Sequence, residues 1–399
     1  MKLNRVVKGA LLIAGTSIGG GMLALPVKLG LGGFVPSLFI YLFCWGLMAC
    51  TGLLFLEVSM WMKGESNIIS MAEATLGTTG QAVAWGLYLF LFYSLSLAYV
   101  SGCGVLISQI FPQVIPEGLG PLFFVFLFAP FVFCGARVVG KMNALFMLGL
   151  GVCYVLFVYY GTPYVDLELL QRKNWSLALV GLPIAFTSFA YQGTVPTLIH
   201  YLNHDPKDAR TAIILGSSIP FFAYVIWQAL ILGIVPVDGP GGLAEAFMNE
   251  DNAVHPLRLF IDNKNVYLIG QFFAFFAMVT SFFGVTIGLQ DFLADGLSIK
   301  KTARGKLLLT TLVFSPPLII SYFYPKVFLT ALDYAGGFGC AILLALFPVL
   351  MVWSGRYRMK LESKYSLTGG KPLLIFLVVL VIIEVIVQIL LMTGKLYLS

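Results

Sequence analysis

Two short stretches of this chain carry residues that open a helix and leave backbone groups free. The first, Gly15-Thr16-Ser17-Ile18-Gly19-Gly20-Gly21, lies inside an apolar run and holds four glycines in seven residues. Each glycine costs a helix about 1 kcal/mol relative to alanine. The second runs from Pro183 through Phe186-Thr187-Ser188-Phe189-Ala190-Tyr191-Gln192-Gly193-Thr194-Val195 to Pro196, a polar stretch between two prolines. Each proline removes an N–H and clashes with the turn before it. A half-helix that begins at such a break presents unpaired N–H groups and a positive dipole end, which is chemistry for a carboxylate.

Three acidic residues, Glu57, Asp333 and Glu384, also fall inside apolar runs. A charge at mid-bilayer costs between about 3 and more than 10 kcal/mol, and burial favours the neutral carboxyl. Glu57 and Asp333 are therefore candidates to take up and release a proton. Glu57 lies near one end of its run, where it could instead pair with a cation. Glu384, with Gln388 one turn on, reads as an interhelical or subunit contact, and Asp291 and Asp295 read as holding a loop with Lys300 and Lys301.

Other chemistries find little support. His200 and His204 have the i, i+4 spacing of a zinc helix, but Tyr201 stands where HExxH needs Glu, and no metal is expected. The six cysteines show no CxxC spacing and read as small buried hydrophobes. There is no GxxxxGK[ST] loop, and the three histidines (His200, His204, His255) all lie away from mid-depth. The chain reads as neither an enzyme nor a cofactor-binding or nucleic-acid-binding protein.

What positions these residues is a stack of apolar helices. Of the 399 residues 59% are hydrophobic and only 11% charged, against roughly 25% charged in a soluble domain. A span needs about 20 apolar residues. Runs near 6–30, 34–62, 82–111, 121–138, 141–161, 175–203, 207–235, 265–297, 306–323, 328–353 and 372–394 predict an all-α, polytopic chain of about eleven transmembrane helices in one domain. The first run is expected to stay in the mature chain and not to be cleaved as a signal peptide, because glycines interrupt it and it continues to Pro26. The segment 236–264, with the helical pattern Leu243 to Met248, reads as an external lid.

The net charge of +6 matters less than its distribution. Most of the Lys and Arg residues, among them Lys2, Arg5, Lys8, Lys63, Arg210, Lys300, Lys301, Arg304, Arg356 and Arg358, fall on the N-terminal side of the bilayer. This predicts a cytoplasmic N-terminus and an external C-terminus. Five spans over 5–161 and five over 175–354 would then have inverted topology, with 372–394 as an extra helix. The two breaks fall at matching places in the halves, the sequence signature of a midplane transport site. Unwound backbone is tolerated at that depth only where it lines a cavity.

The motifs Ala14-Gly15-Thr16-Ser17-Ile18-Gly19-Gly20-Gly21-Met22-Leu23-Ala24-Leu25-Pro26, Phe186-Thr187-Ser188-Phe189, Gly193-Thr194-Val195-Pro196 and Leu293-Ala294-Asp295 resemble those of the hydroxy and aromatic amino acid permeases, a family within the amino acid/polyamine/organocation superfamily. The likeness covers nearly the whole chain and is strongest to the bacterial tyrosine-specific members. It implies a LeuT-type fold of ten core helices plus one, in a bacterial inner membrane, and proton-coupled uptake of tyrosine or tryptophan. By the same resemblance the backbone from Gly15 to Gly21 would receive the substrate carboxylate. Thr187, Ser188, Phe189, Tyr191 and Gln192 would face its side chain, and Tyr93 and Tyr99 would form a wall. Thr280 and Ser281 would face the first helix where sodium-coupled relatives hold an ion, which keeps a sodium alternative open. The chain departs from the family pattern at Ala190, Tyr191, Gln192 and Asp333, so its preferred aromatic is left open. With no nucleotide site, an ion gradient must drive accumulation. One proton through 100 mV is worth about 2.3 kcal/mol and one pH unit about 1.4 kcal/mol.

Overall fold

The computed structural model describes residues 2–62, 64, 66–111 and 113–395; Lys63, counted above among the inner cations, lies outside them. Among the described residues all regular structure is helical. The main helices are α1 (Lys2–Ser17), α2 (Gly20–Leu29), α3 (Phe34–Trp61), α4 (Ile68–Ile110), α5 (Gly120–Cys134), α6 (Ala136–Gly161), α7 (Leu182–Ser188), α8 (Val195–Tyr201), α9 (Pro206–Ile234), α10 (Leu243–Met248), α11 (Lys264–Gly296), α12 (Ala303–Phe323), α13 (Phe328–Tyr334), α14 (Phe347–Trp353) and α15 (Gly370–Met392). Among the described residues nine helices are long and apolar enough to cross a bilayer, and α1 with α2 forms a tenth span bent by 56°. The run expected at 121–138 is the shorter α5, because Gly135 at φ +101° ends it before Arg137. The run expected at 82–111 starts earlier, at Ile68, with Gly77 at φ +77° separating a short first segment from the long helix.

Both motifs singled out in the sequence are breaks. The first run parts at Ile18 and at Gly19, whose backbone is extended (φ −167°). The second parts between Ser188 and Val195. The span from Phe328 to Arg358 is wound as a π-helix over Ala335–Leu346, a rare form associated with functional sites. Helix α1 packs along α9, α11 along α6 and α4, and α15 along the π-segment. Every residue of α2 is buried, while Leu11 and Leu12 on α1 are 57% and 40% exposed.

The 236–264 segment does fold over one end of the bundle. Its α10 buries Leu243 and Ala246, and the Ala253 N–H donates to Leu23 O of α2 at 3.0 Å. The Glu250 carboxylate accepts from the N–H groups of Leu329 and Thr330 and from the Thr330 hydroxyl at 2.7–3.0 Å, so it caps α13.

Candidate functional site

A cavity of about 580 Å³ lies where the two breaks meet. Gly15, Thr16, Ser17, Gly19 and Gly21 line it from the first break, and Thr187, Ser188, Tyr191 and Gly193 from the second. Tyr88, Phe92 and Tyr99 of α4 add aromatic faces, with Tyr88 and Phe92 stacked at 4.4 Å. Thr280 and Ser281 of α11 complete the wall beside Gly19. Leu11 and Leu12 belong to the same lining, so the cavity opens along α1, on the side of the N-terminus, and closes beneath α2.

The glycines are there because the partners are close. A Cβ at Gly19 would overlap the Ser281 hydroxyl, one at Gly20 would lie 2.6 Å from the Tyr99 ring, and one at Gly21 2.5 Å from Ser188 Oγ. The Gly20 N–H donates to Ser281 Oγ at 3.3 Å, which ties the start of α2 to α11. On the other side of the breaks, the Tyr224 hydroxyl reaches the last carbonyls of both half-helices, Ser17 O at 2.6 Å and Ser188 O at 2.9 Å. Sequence reasoning missed Tyr224, because a tyrosine in an apolar run carries no signal of its own.

Several expected residues stand elsewhere. Gln192 is fully buried and turned into α3: its amide donates to Met48 O and Thr51 Oγ1, and its oxygen accepts the Tyr191 N–H at 2.9 Å. It holds the break open and does not face the cavity. Phe189 packs edge-on against Tyr41 and Tyr224 behind the wall. The Tyr93 hydroxyl donates to Leu312 O, away from the cavity. Ile18 bonds back to Ala14 O within its own turn. Gly20 faces Tyr99 and stands behind the lining. Conversely, Asn143 of α6 was not expected, yet it lines the cavity with its side-chain oxygen buried and unpartnered.

The acidic candidates fare differently from one another. Glu57 accepts both arms of Arg356 at 2.5–2.6 Å and the Leu367 N–H at 3.0 Å. Asp333 bonds the Lys28 ammonium at 2.7 Å, with both side chains nearly buried, and Lys28 also lies 4.4 Å over the Phe247 ring of the lid. Lys28 thus ties α2 both to α13 and to the lid. Asp291 pairs with Lys301. Of the six cysteines expected to be buried, Cys44, Cys103 and Cys340 are, Cys50 and Cys153 are half-buried, and Cys134 is exposed at the end of α5.

Helices broken at mid-depth around an aromatic-walled cavity, in a chain of stacked apolar spans, define a polytopic transporter of the LeuT type. The crystal structure of MhsT in complex with L-phenylalanine has the same fold, with TM-score 0.64 over 94% of this chain and 98% of that one, at 16% identity. The chain belongs to the tryptophan/tyrosine permease family, whose model matches residues 2–388, and it is a permease and not an enzyme. Relatives include the tyrosine-specific transport system 1 of Haemophilus influenzae, 32% identical over 95% of both chains. The tryptophan-specific transport protein of Shigella flexneri is 30% identical over 96% of this chain and 94% of its own.

Proposed function

We propose that the protein imports tyrosine or tryptophan together with protons, by alternating access, across a bacterial inner membrane with its N-terminus cytoplasmic and its C-terminus outside. The observation that carries this reading is the aromatic-walled cavity between the two breaks. In this reading the substrate carboxylate lies against the N-terminus of α2 at Gly21, where the helix dipole favours an anion. The ring lies among Tyr88, Phe92, Tyr99 and Tyr191, whose faces and edges suit an aromatic partner. The unpartnered oxygen of Asn143 accepts the phenol O–H or the indole N–H.

The distribution of Lys and Arg supports a cavity that faces the cytoplasmic side in this conformation. The closed end, with the Lys28–Asp333 pair and the lid, would then part to admit substrate from outside. A sodium reading has one specific support, the hydroxyls of Thr280 and Ser281 on the wall beside Gly19, oxygen ligands of the kind a hard cation takes. Uptake of labelled tyrosine, tryptophan and serine into proteoliposomes tests the proposal. Accumulation of an aromatic under a proton gradient, lost with an uncoupler, is the expected result. Sodium-driven uptake would move coupling to Thr280 and Ser281, and no aromatic uptake under either gradient would overturn the substrate assignment.

A further inference from the structure

Helix α15 carries a carboxyl that no other part of the account uses. Its inward stripe is Leu374, Leu377, Val381, Glu384, Val387, Gln388 and Leu391, while Ile382, Ile383 and Ile386 face outward. Glu384 is 0% exposed, and neither of its side-chain oxygens has a hydrogen-bond partner. It is therefore turned into the bundle against the π-segment, the interhelical one of the two contacts that its place outside the repeats suggests.

The neighbours of Glu384 connect it to both ends of the transport path. Gly337 has no side chain, and a Cβ there would lie 2.6 Å from Gln388 Oε1, so α15 and the π-segment touch at that level. Consecutive spans run in opposite directions, so Glu384, one turn from Gln388, lies near the level of Cys340. Cys340 lines the cavity. Asp333 at the end of α13 acts on Glu384 electrostatically, and Glu384 in turn acts on Cys340 of the π-segment and Cys44 of α3. Asp333 in turn holds Lys28 at the closed end, and its second oxygen is unpartnered.

Among the three carboxylates at depth, the partners differ in kind. Glu57 and Asp333 each lie within ion-pair distance of a cation, Arg356 and Lys28. Glu384 has no donor among the described residues, so nothing offsets the desolvation of an ionised carboxylate there. In this conformation it is the neutral acid.

We infer that Glu384 carries the co-transported proton, held between the Lys28–Asp333 pair and the cavity wall at Cys340. The inference rests on the proton-symport reading above. Loading follows from parting of Lys28 and Asp333 at the outer end, and discharge from water reaching the carboxyl past Cys340. The unwound hydrogen-bond ladder of the π-segment gives that wall an alternative packing to move into.

Wild-type protein and Glu384→Gln, an isostere of the protonated acid, are compared in proteoliposomes. The variant is expected to lose accumulation driven by a pH gradient while it still exchanges labelled tyrosine or tryptophan for unlabelled in counterflow. Gradient-driven accumulation by the variant at the wild-type level would overturn the inference. So would loss of counterflow together with accumulation, which marks a purely structural role. If wild type itself shows no proton-driven uptake, the symport reading has failed before Glu384 is in question. A second readout needs no functional variant: infrared difference spectra of wild type, with and without substrate at varied pH, should contain the C=O stretch of a protonated carboxyl. Absence of that band would also overturn the inference.

Discussion

Ser17 and Ser188, the last residues of two half-helices far apart in sequence, end on the same hydroxyl, that of Tyr224. Each broken helix leaves carbonyls without an intrahelical partner, and in a buried site these must find a donor. Tyr224 shares its single O–H between the two, and so fixes the two breaks relative to each other.

Tyr224→Phe removes that donor while keeping the ring that packs on Phe189. An unsatisfied buried acceptor costs about 1–3 kcal/mol. The variant is expected to unfold at a lower temperature in detergent and to transport more slowly. Unchanged stability and uptake would mean that the shared hydroxyl does not set the geometry of the site.

Gly20→Val is expected to abolish uptake while the protein still inserts. The reason lies in packing: the added Cβ meets the Tyr99 ring at 2.6 Å, and overpacking of this kind typically costs about 1–3 kcal/mol. Surface expression and labelled-substrate uptake, measured together, separate loss of function from loss of insertion.

Two amides should behave differently. Gln192→Ala leaves groups of Tyr191, Met48 and Thr51 without their partner, so it should lower tyrosine and tryptophan uptake together and leave their ratio unchanged. Asn143→Ala removes the free acceptor in the cavity. It should weaken tyrosine and tryptophan relative to phenylalanine, which has no ring donor. Competition against a single labelled aromatic reads both outcomes.

Removing one partner of a buried ion pair strands the other charge, at a typical cost of about 3–5 kcal/mol. Asp333→Ala is therefore expected to destabilise the purified protein strongly. Lys28→Met combined with Asp333→Leu should recover much of the loss, because apolar replacement of both charges is often neutral. Additive losses in thermal unfolding of the two single variants and the double variant would show that the pair is not coupled.

The breaks in the first and sixth apolar runs were legible because glycine and proline act on the backbone locally, whatever surrounds them. The lid was legible too, since the helical pattern from Leu243 to Met248 stands alone in a polar segment. Rotation of a buried side chain about its helix axis was not legible. Tyr93 sits on a helix apolar on every face and Phe189 and Gln192 lie in the break itself, so no periodic stripe says which side meets the cavity. The same limit hid Asn143 and Tyr224, and it left Glu384 open between an interhelical and a subunit contact. Partner choice was also out of reach: Glu57 finds Arg356, 299 residues away in sequence.

The central claim is that an aromatic amino acid occupies the space between the two breaks, and substrate protection tests it most directly. Thr16 is exposed and lines the cavity, so Thr16→Cys, in a chain whose other cysteines are replaced, places a reactive thiol there. With an impermeant thiol reagent on the N-terminal side, tyrosine or tryptophan should slow labelling in a saturable way, and serine should not. Labelling at the same rate with and without aromatic substrate, in protein that still transports it, would contradict the account.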